Sequence, residues 1–544
     1  MSSYVSPTQG PPPLALKSVE HAPLPDLDVV SYTFRNRDQI HGDQPIFIDA
    51  EDDENSLSFN ETYELTRQTA QGLRARGVEE GDCVTIHAFN TIEYPVIFLG
   101  TLAAGGIVSG VNPGSTVPEL TRHLRMTAPK VIFAQLICID TVRAAAAECN
   151  IPLSSIVMLD KEGFEWRAFL KSGARITSGF FKAPPESTAA YSTTSGTTGL
   201  PKIAKISHRA IVAQVSAIDF SFKERDYEPS QLICIPLFHA FAGPLGLILP
   251  LVRAISTHFL RRFELRSFVN AVDRFQITDV AVVPPIIAEL IHQEEMTKFP
   301  YSPLQSLRYV ICAGADLPQV AQSSLYAWLS PKAVIAQCYG TTESGWITLF
   351  GPTEKDTSGS IGRLMPNVEL LTVTSDGKYF EDKIQGEASI RTPTMFSGYL
   401  YDSEAFVQSF DNHAFYSTGD LIEITHGKLY IKGRVKDIMK VNGFQVSPAE
   451  VEEALKLHPY IDDAAVCGAT DLVKGVPKTM IHGYVVRSND LVDGAVSAKD
   501  IMKFLAFHIS KYKLPTGGLH FVTEIPRTAT GKIVRNKLAQ LAVV

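Results

Sequence analysis

Short apolar runs bounded by turn residues alternate with longer amphipathic stretches through most of this chain. That rhythm confines it to parallel sheets covered by helices. Val84-Thr-Ile-His-Ala-Phe, Val131-Ile-Phe-Ala, Gln231-Leu-Ile-Cys-Ile and Val280-Ala-Val-Val read as buried strands, with a helix over 65–76. Two stretches, 94–111 and 232–252, approach the length of a membrane span. The first carries Pro95 and four glycines; the second carries His239 among Pro236, Pro244 and Pro250. Both therefore read as buried segments of an α/β core.

Beyond about residue 355 the texture changes to short strands punctuated by Gly and Asp, such as Val368-Glu-Leu-Leu-Thr-Val-Thr before Asp376-Gly377. This predicts a small β-rich subdomain. Near residue 434 a second boundary precedes Ser447-Pro-Ala-Glu-Val-Glu-Glu-Ala-Leu. There Ser447 is expected to cap a helix, with Pro448 in its first turn and Glu450 completing a capping box. With 544 residues the chain exceeds one ordinary domain. The expected fold class is α/β: an N-terminal domain over 1–433 of stacked α/β subdomains plus the β-rich one, then a small mobile α+β domain over 434–544.

Hydrophobic residues at 45% and charged residues at 20% match a folded globular chain. A net charge of -8 argues against nucleic acid as a partner. The seven cysteines are scattered and form no Cys-x-x-Cys pair, so buried thiols in a reducing compartment are expected. The N-terminus lacks a secretory signal pattern and Leu541-Ala-Val-Val is not a peroxisomal tripeptide, so a cytoplasmic location without a transmembrane segment is expected.

The most informative segment is Tyr191-Ser-Thr-Thr-Ser-Gly-Thr-Thr-Gly-Leu-Pro-Lys202. Glycines let backbone N–H groups converge on a phosphate, hydroxyls add donors and Lys202 adds charge. It is not a Walker A loop, and by composition alone a plain surface turn is an equal reading.

Further along come Pro236-Leu-Phe-His239, Gln337-Cys-Tyr-Gly-Thr-Thr-Glu343, Gly386-Glu-Ala-Ser-Ile-Arg391, Tyr416-Ser-Thr-Gly-Asp420, Gly433-Arg434-Val-Lys-Asp and Pro526-Arg-Thr-Ala-Thr-Gly-Lys532. In this order the segments resemble the motifs of the adenylate-forming enzymes: acyl-CoA synthetases, 4-coumarate–CoA ligases, firefly luciferase and peptide-synthetase adenylation domains. Lys440-Val-Asn-Gly-Phe-Gln-Val-Ser-Pro-Ala-Glu resembles the 4-coumarate–CoA ligase-like branch.

The resemblance implies ATP, Mg²⁺ and coenzyme A as cofactors, and two half-reactions: a carboxylic acid joins AMP, and the acyl group then passes to a thiol. It implies that Ser195, Gly196, Thr197, Thr198, Gly199 and Lys202 wrap phosphates, with Gln337, Tyr339, Gly340 and Thr341 under the adenine. Thr342 falls beside the α-phosphate, Glu343 on Mg²⁺, and Asp420 and Arg434 at the ribose. Cations are needed because two anions must meet during adenylation. Lys532 then bridges the carboxylate and the α-phosphate, after which a hinge at Lys436 exchanges faces of the C-terminal domain. Lys440 and Gln445 serve the second geometry, with Lys440, Gly443 and Phe444 beside CoA, while His239 stands between the acyl pocket and the thiol channel. Alone, a Thr-Gly-Asp aspartate is a turn residue and a C-terminal lysine a solvated charge; only the resemblance reverses those readings.

In such a family His239, Phe241, Gly243, Ala313, Gly314, Tyr339 and Gly340 form the substrate pocket, and their composition favours an aromatic or medium-chain acyl group. Two positions depart from the pattern: Ile203 stands where relatives commonly have glycine, and Asn442 where many have a second lysine. The second leaves open an acyl-AMP ligase that loads a carrier protein's phosphopantetheine. A non-catalytic nucleotide-binding protein is the reading from another class, against which Glu343, Lys440 and Lys532 stand together.

Overall fold

A capped amphipathic helix shows how the sequence assembles the first layer. Ser58 caps helix Phe59–Ala75 in a reciprocal box, its hydroxyl accepting from Glu61 N at 3.2 Å and Glu61 Oε2 accepting from Ser58 N at 2.8 Å. Phe59, Thr62, Thr66, Thr69, Ala70 and Leu73 form its buried face. They pack on helix Glu93–Ala104, where Gly100 permits the approach because a Cβ there would lie 2.5 Å from Thr69. That second helix is apolar all round, ends at Gly105 with φ +96°, and turns into strand Ile107–Gly110. The 94–111 stretch is thus a buried helix and strand.

The 232–252 stretch is broken up by its prolines into strand Ser230–Ile233, a π-helical turn Pro244–Ile248 and helix Leu249–Arg253. Among the described residues no helix is long and apolar enough to cross a membrane.

The computed structural model describes residues 15–159, 164–174, 179–194, 202–291, 302–315, 317–373, 384–437, 439–441, 444–473, 476–488, 497–509, 511–528 and 531–541. Ser195, Gly196, Thr197, Thr198, Gly199, Asn442 and Gly443 lie outside these residues, and Lys436, Lys440, Phe444 and Gln445 are described through their backbone alone.

Two large sheets share one core, as the alternating pattern predicts. In one, strands Cys83–His87, Ile107–Gly110, Val131–Gln135 and Ile156–Leu159 run parallel, and Thr188–Thr193 pairs antiparallel with Ile203–Ser207. In the other, Ser230–Ile233, Ser256–Phe259, Asp279–Val282, Tyr309–Cys312 and Val334–Thr341 run parallel before Gly345–Leu349 turns back. A third, antiparallel sheet contains Glu369–Val373, Ile384–Arg391, Tyr416–Thr425 and Lys428–Arg434, the β-rich unit expected after residue 355.

Val29 through Leu429 contribute to the main core, while Met439, Val446, Val451, Leu455, Val466, Val485 and Leu505 pack in a separate one. In this second unit helix Pro448–Lys456 lies on strand Ile461–Val473, which pairs antiparallel with Val476–Arg487. The capping box expected at Ser447 is not formed. Its hydroxyl donates to Lys432 O at 2.5 Å, across the junction between the two units, and Glu450 pairs with Lys513. The local signature lost to a tertiary acceptor.

The cysteines are free thiols, and burial pushes Cys83 and Cys234 up to about 12, so neither is a thiolate near neutral pH. Burial also holds His87, His123, His208 and His258 down to about 4, each at most 7% exposed. They stay neutral in the fold at pH 7. The unfolded chain gains these protons below its ordinary histidine value near 6.5, whereas the folded chain gains them only near 4. Their contribution to stability is therefore complete above pH 6.5 and lost as pH falls from there toward 4. The thermal midpoint is expected to be level from pH 8 to 7 and to drop steeply between 6.5 and 4.5; a level midpoint down to pH 5 would contradict this.

Candidate active site

Strand Val334–Thr341 is buried through most of its length and delivers four of the expected residues to one end of the large sheet. Gln337 is fixed by the backbone: its Oε1 accepts from Leu317 N at 3.1 Å and its Nε2 donates to Ser360 O at 3.3 Å. Gly340 is required by crowding, since a Cβ would collide with Gly345 O. Beyond it, Thr341 Oγ1 closes the turn by accepting from Ser344 N at 3.1 Å, which sets out Thr342 and Glu343.

Glu343 is clamped by an aromatic cluster that motif reading missed. Phe396 packs on Tyr399, Phe406 and Tyr416 with ring centroids 4.8, 5.1 and 5.6 Å away. Its backbone N–H donates to Glu343 O at 2.7 Å, and Tyr399 donates its hydroxyl to Glu343 Oε1 at 2.9 Å. Burial, reinforced by the Glu343 charge, pushes the Tyr399 phenol up, so it is a donor at neutral pH.

Asp420 sits opposite Arg434 across the hairpin of Tyr416–Thr425 and Lys428–Arg434. Its Oδ1 pairs with Arg434 Nε at 2.9 Å and its Oδ2 accepts the Tyr339 hydroxyl at 2.8 Å, within a site where Asp420 is only 6% exposed. Each carboxylate oxygen retains a second lone pair, enough for the two hydroxyls of a ribose.

The neck of the Ser/Thr/Gly loop is tied by Thr194 N donating to Lys202 O at 2.8 Å. Ile203, in place of glycine, is 2% exposed and pairs with Thr193 in the sheet, so it anchors the loop's exit. Lys202 Nζ lies 3.0 Å from Asp402 Oδ2 and 4.9 Å from the centre of the Tyr399 ring. Asp402 also caps helix Ser403–Gln408. Neither Tyr399 nor Asp402 carried a sequence signal of its own, because Glu343 lies 56 positions from the first and Lys202 lies 200 from the second, and they meet only in the fold.

Lys532 is brought to this site from the second unit. Thr528 and Lys532 exchange bonds, Thr528 N to Lys532 O at 2.8 Å and Lys532 N to Thr528 Oγ1 at 3.1 Å, and Gly531 turns between them at φ +84°. A Cβ at Gly531 would lie 3.0 Å from Pro285, so the loop is pressed onto the main body. There burial and then Arg434 lower the Lys532 ammonium, while Asp420 and Glu343 support its charge. Burial and then Lys532 hold His239 down to about 4, leaving it neutral at pH 7.

Beside these groups opens a cavity of about 800 Å³, its mouth included. Thr342, His239 and Gly243 border it, and Tyr94, Phe98, Ile211, Leu237, Phe238 and Leu247 give it an apolar wall. Of the other expected pocket residues, Phe241 packs on Trp346 with centroids 5.3 Å apart, and Ala313 is buried beside Gly314 at φ +94°. Phe241, Ala313, Gly314, Tyr339 and Gly340 stand outside the cavity's lining. Lys440 pairs in register with Gln445, and Val441 with Phe444, in the hairpin Met439–Val441 and Phe444–Val446 of the second unit.

Two family models match long stretches of the chain. The model of the AMP-binding enzyme family matches residues 34–400, and that of the AMP-binding enzyme C-terminal domain matches 450–532. The acyl-CoA ligase azaF of Aspergillus niger is 36% identical over 95% of this chain and 98% of its own length. The phenylacetyl-CoA ligase epaB of Aspergillus niger is 36% identical over 95% and 97%. The ATP-bound crystal structure of MatB from Rhodopseudomonas palustris superposes with a TM-score of 0.81 at 23% identity, covering 94% of this chain and 98% of MatB, which shows the shared fold. Matched by the family model over more than half its length, the chain belongs to the AMP-binding enzyme family.

Proposed function

We propose that this protein joins an aromatic or medium-chain carboxylic acid to coenzyme A, using ATP and passing through the acyl-adenylate. The observation that carries the reading is that the Lys532 loop, pressed on Pro285, stands within electrostatic reach of Glu343, Asp420 and His239, and that His239 and Thr342 line an apolar cavity. In the first half-reaction a carboxylate oxygen attacks the α-phosphorus and the bond to pyrophosphate breaks. In the second a thiol sulfur attacks the acyl carbon, AMP leaves and the thiol proton is released.

The residues suit those steps. Asp420 would take the ribose hydroxyls, and Lys202 would exchange Asp402 for phosphate oxygens contacted also by the Ser195–Gly199 loop. Lys532 would bring the carboxylate and α-phosphate together, two anions that otherwise repel. His239, being neutral, would wall the cavity without competing for the carboxylate. Glu343 fits Mg²⁺: it is a single hard donor whose other oxygen has no hydrogen bond among the described residues, and no cluster of three metal-ligating side chains forms among them. Mg²⁺ takes few protein ligands and keeps phosphate and water oxygens. When bound it would neutralise charge on the polyphosphate.

For the second step we place the hinge at Lys436, with Lys440, Gly443, Phe444 and Gln445 turned toward CoA. Lys440→Ala is expected to slow acyl transfer to CoA at least tenfold more than pyrophosphate release; a variant defective in pyrophosphate release alone would count against it. The substrate reading is tested by pyrophosphate release across a panel of acids. Aromatic and medium-chain acids should turn over best, and turnover confined to short dicarboxylic acids would refute it.

A further inference from the structure

The cavity wall is apolar apart from a few groups, and two of those carry hydrogen-bonding atoms without a partner. Gln214 lies on helix His208–Ser221 and is 5% exposed. Its Oε1 accepts from Trp346 N at 2.6 Å. A backbone N–H can only donate, so the amide orientation is fixed and Nε2 is the other end. Gly345, at φ +68°, makes room for that amide, since a Cβ would collide with Gln214 Oε1. Nε2 is buried, carries two N–H donors and has no acceptor among the described residues.

Tyr94, 2% exposed in the first turn of helix Glu93–Ala104, repeats the pattern: its hydroxyl is buried and unpartnered. Gly110 admits it, because a Cβ there would lie 2.6 Å from Tyr94 Oη and 2.7 Å from Phe238 Cβ. Other buried polar atoms lack partners among the described residues, but of the described residues only these two also line the cavity. A buried donor left unpaired is costly, so a site keeps one where a ligand completes it.

We propose that the acid this protein activates bears an uncharged oxygen substituent, a hydroxyl, ether or carbonyl, whose lone pair accepts from Gln214 Nε2, with the Tyr94 hydroxyl as a second partner. This rests on the acyl-activating reading of the same cavity. Among the described residues no Lys, Arg, Asp or Glu lines the wall, so a second charged group on the acid would find no counter-ion among them. An unsubstituted acid would bury the Gln214 amide unpaired, which sites of this kind reject.

The test compares matched acids on the full-length enzyme with ATP and Mg²⁺: phenylacetic acid against its three ring-hydroxylated isomers, and octanoic acid against its hydroxylated forms. Pyrophosphate release gives kcat/KM for each. The best hydroxylated acid is expected to exceed its parent by roughly 10- to 100-fold. Gln214→Leu should bring that ratio toward one, and Tyr94→Phe, which keeps the ring that fills the wall, should lower it less. A ratio unchanged in both variants, or parent acids used as well as every hydroxylated one, overturns the proposal while leaving adenylation standing. If Gln214→Leu fails to fold, the native ratio and Tyr94→Phe decide. Silence of every acid would sink the acyl-activating reading and this proposal with it.

Discussion

Lys532→Ala is expected to slow acyl-adenylate formation by about 10²–10³ while leaving acyl transfer from a supplied acyl-adenylate to CoA nearly intact. The expectation follows from where this lysine stands. It comes from a separate folding unit, reaches the site on a loop pressed against Pro285, and feels Glu343 and Asp420 at once. Burial and then Arg434 lower the Lys532 ammonium, and Asp420 and Glu343 offset part of that shift. Incoming phosphate and carboxylate supply the compensating negative charge, and alanine would leave them to repel each other. Lys532→Arg should recover little, because a guanidinium is broader and would meet Arg434 nearby. Equal losses in both half-reactions would contradict the division of labour.

Arg535→Met is expected to destabilise the C-terminal unit by about 3–5 kcal/mol. Arg535 Nη2 contacts both oxygens of Glu452, at 2.9 and 3.1 Å, and Glu452 is only 6% exposed on helix Pro448–Lys456. Burial pushes the Glu452 carboxyl up and Arg535 opposes that shift, so removing the arginine leaves a buried charge with one remaining donor, Val466 N at 2.8 Å. Because Arg535 follows Lys532 by three positions, loosening it also frees the catalytic loop. Adenylation should therefore fall with stability. Limited proteolysis should cut the C-terminal unit first, and Glu452→Gln in the same chain should restore part of the loss by removing the orphaned charge. A variant with native proteolysis and native adenylation would show that the pair is dispensable.

The parts of this site that were legible in the sequence are those whose chemistry is compressed into a few adjacent residues. By composition Ser195 to Lys202 reads equally as a phosphate loop or a surface turn, and its likeness to a family motif decides between them, as do the motifs that flank Glu343, Asp420 and Lys532. Sheets and helices were legible for the same reason, since periodicity is local. The helix expected over 65–76 begins earlier, at Phe59, because Ser58 and Glu61 form a box that the apolar pattern does not register. At Ser447 the opposite happened: a good local box gave way to Lys432 O, which no local pattern contains.

The cavity wall was the least legible part. Tyr94 and Phe98 lie on a helix whose residues are nearly all buried, so no face of it pointed anywhere. Gln214 is a single amide on an otherwise largely apolar helix; that oddity was the available signal, yet its partner at Trp346 lies 132 positions away. Phe241 and Ala313 belong to the family's pocket pattern, whereas the cavity here is lined by Leu237, Leu247 and Tyr94 among others.

In the proposed reaction one active site both makes the acyl-adenylate and discharges it onto CoA. Purified protein incubated with ATP, Mg²⁺, CoA and the best acid of the panel, followed by mass spectrometry of the products, tests it most directly. Acyl-CoA and AMP are expected in equal amounts, with acyl-AMP appearing when CoA is omitted. Acyl-AMP that persists in the presence of CoA, and disappears only when a phosphopantetheinylated carrier protein is added, would contradict it.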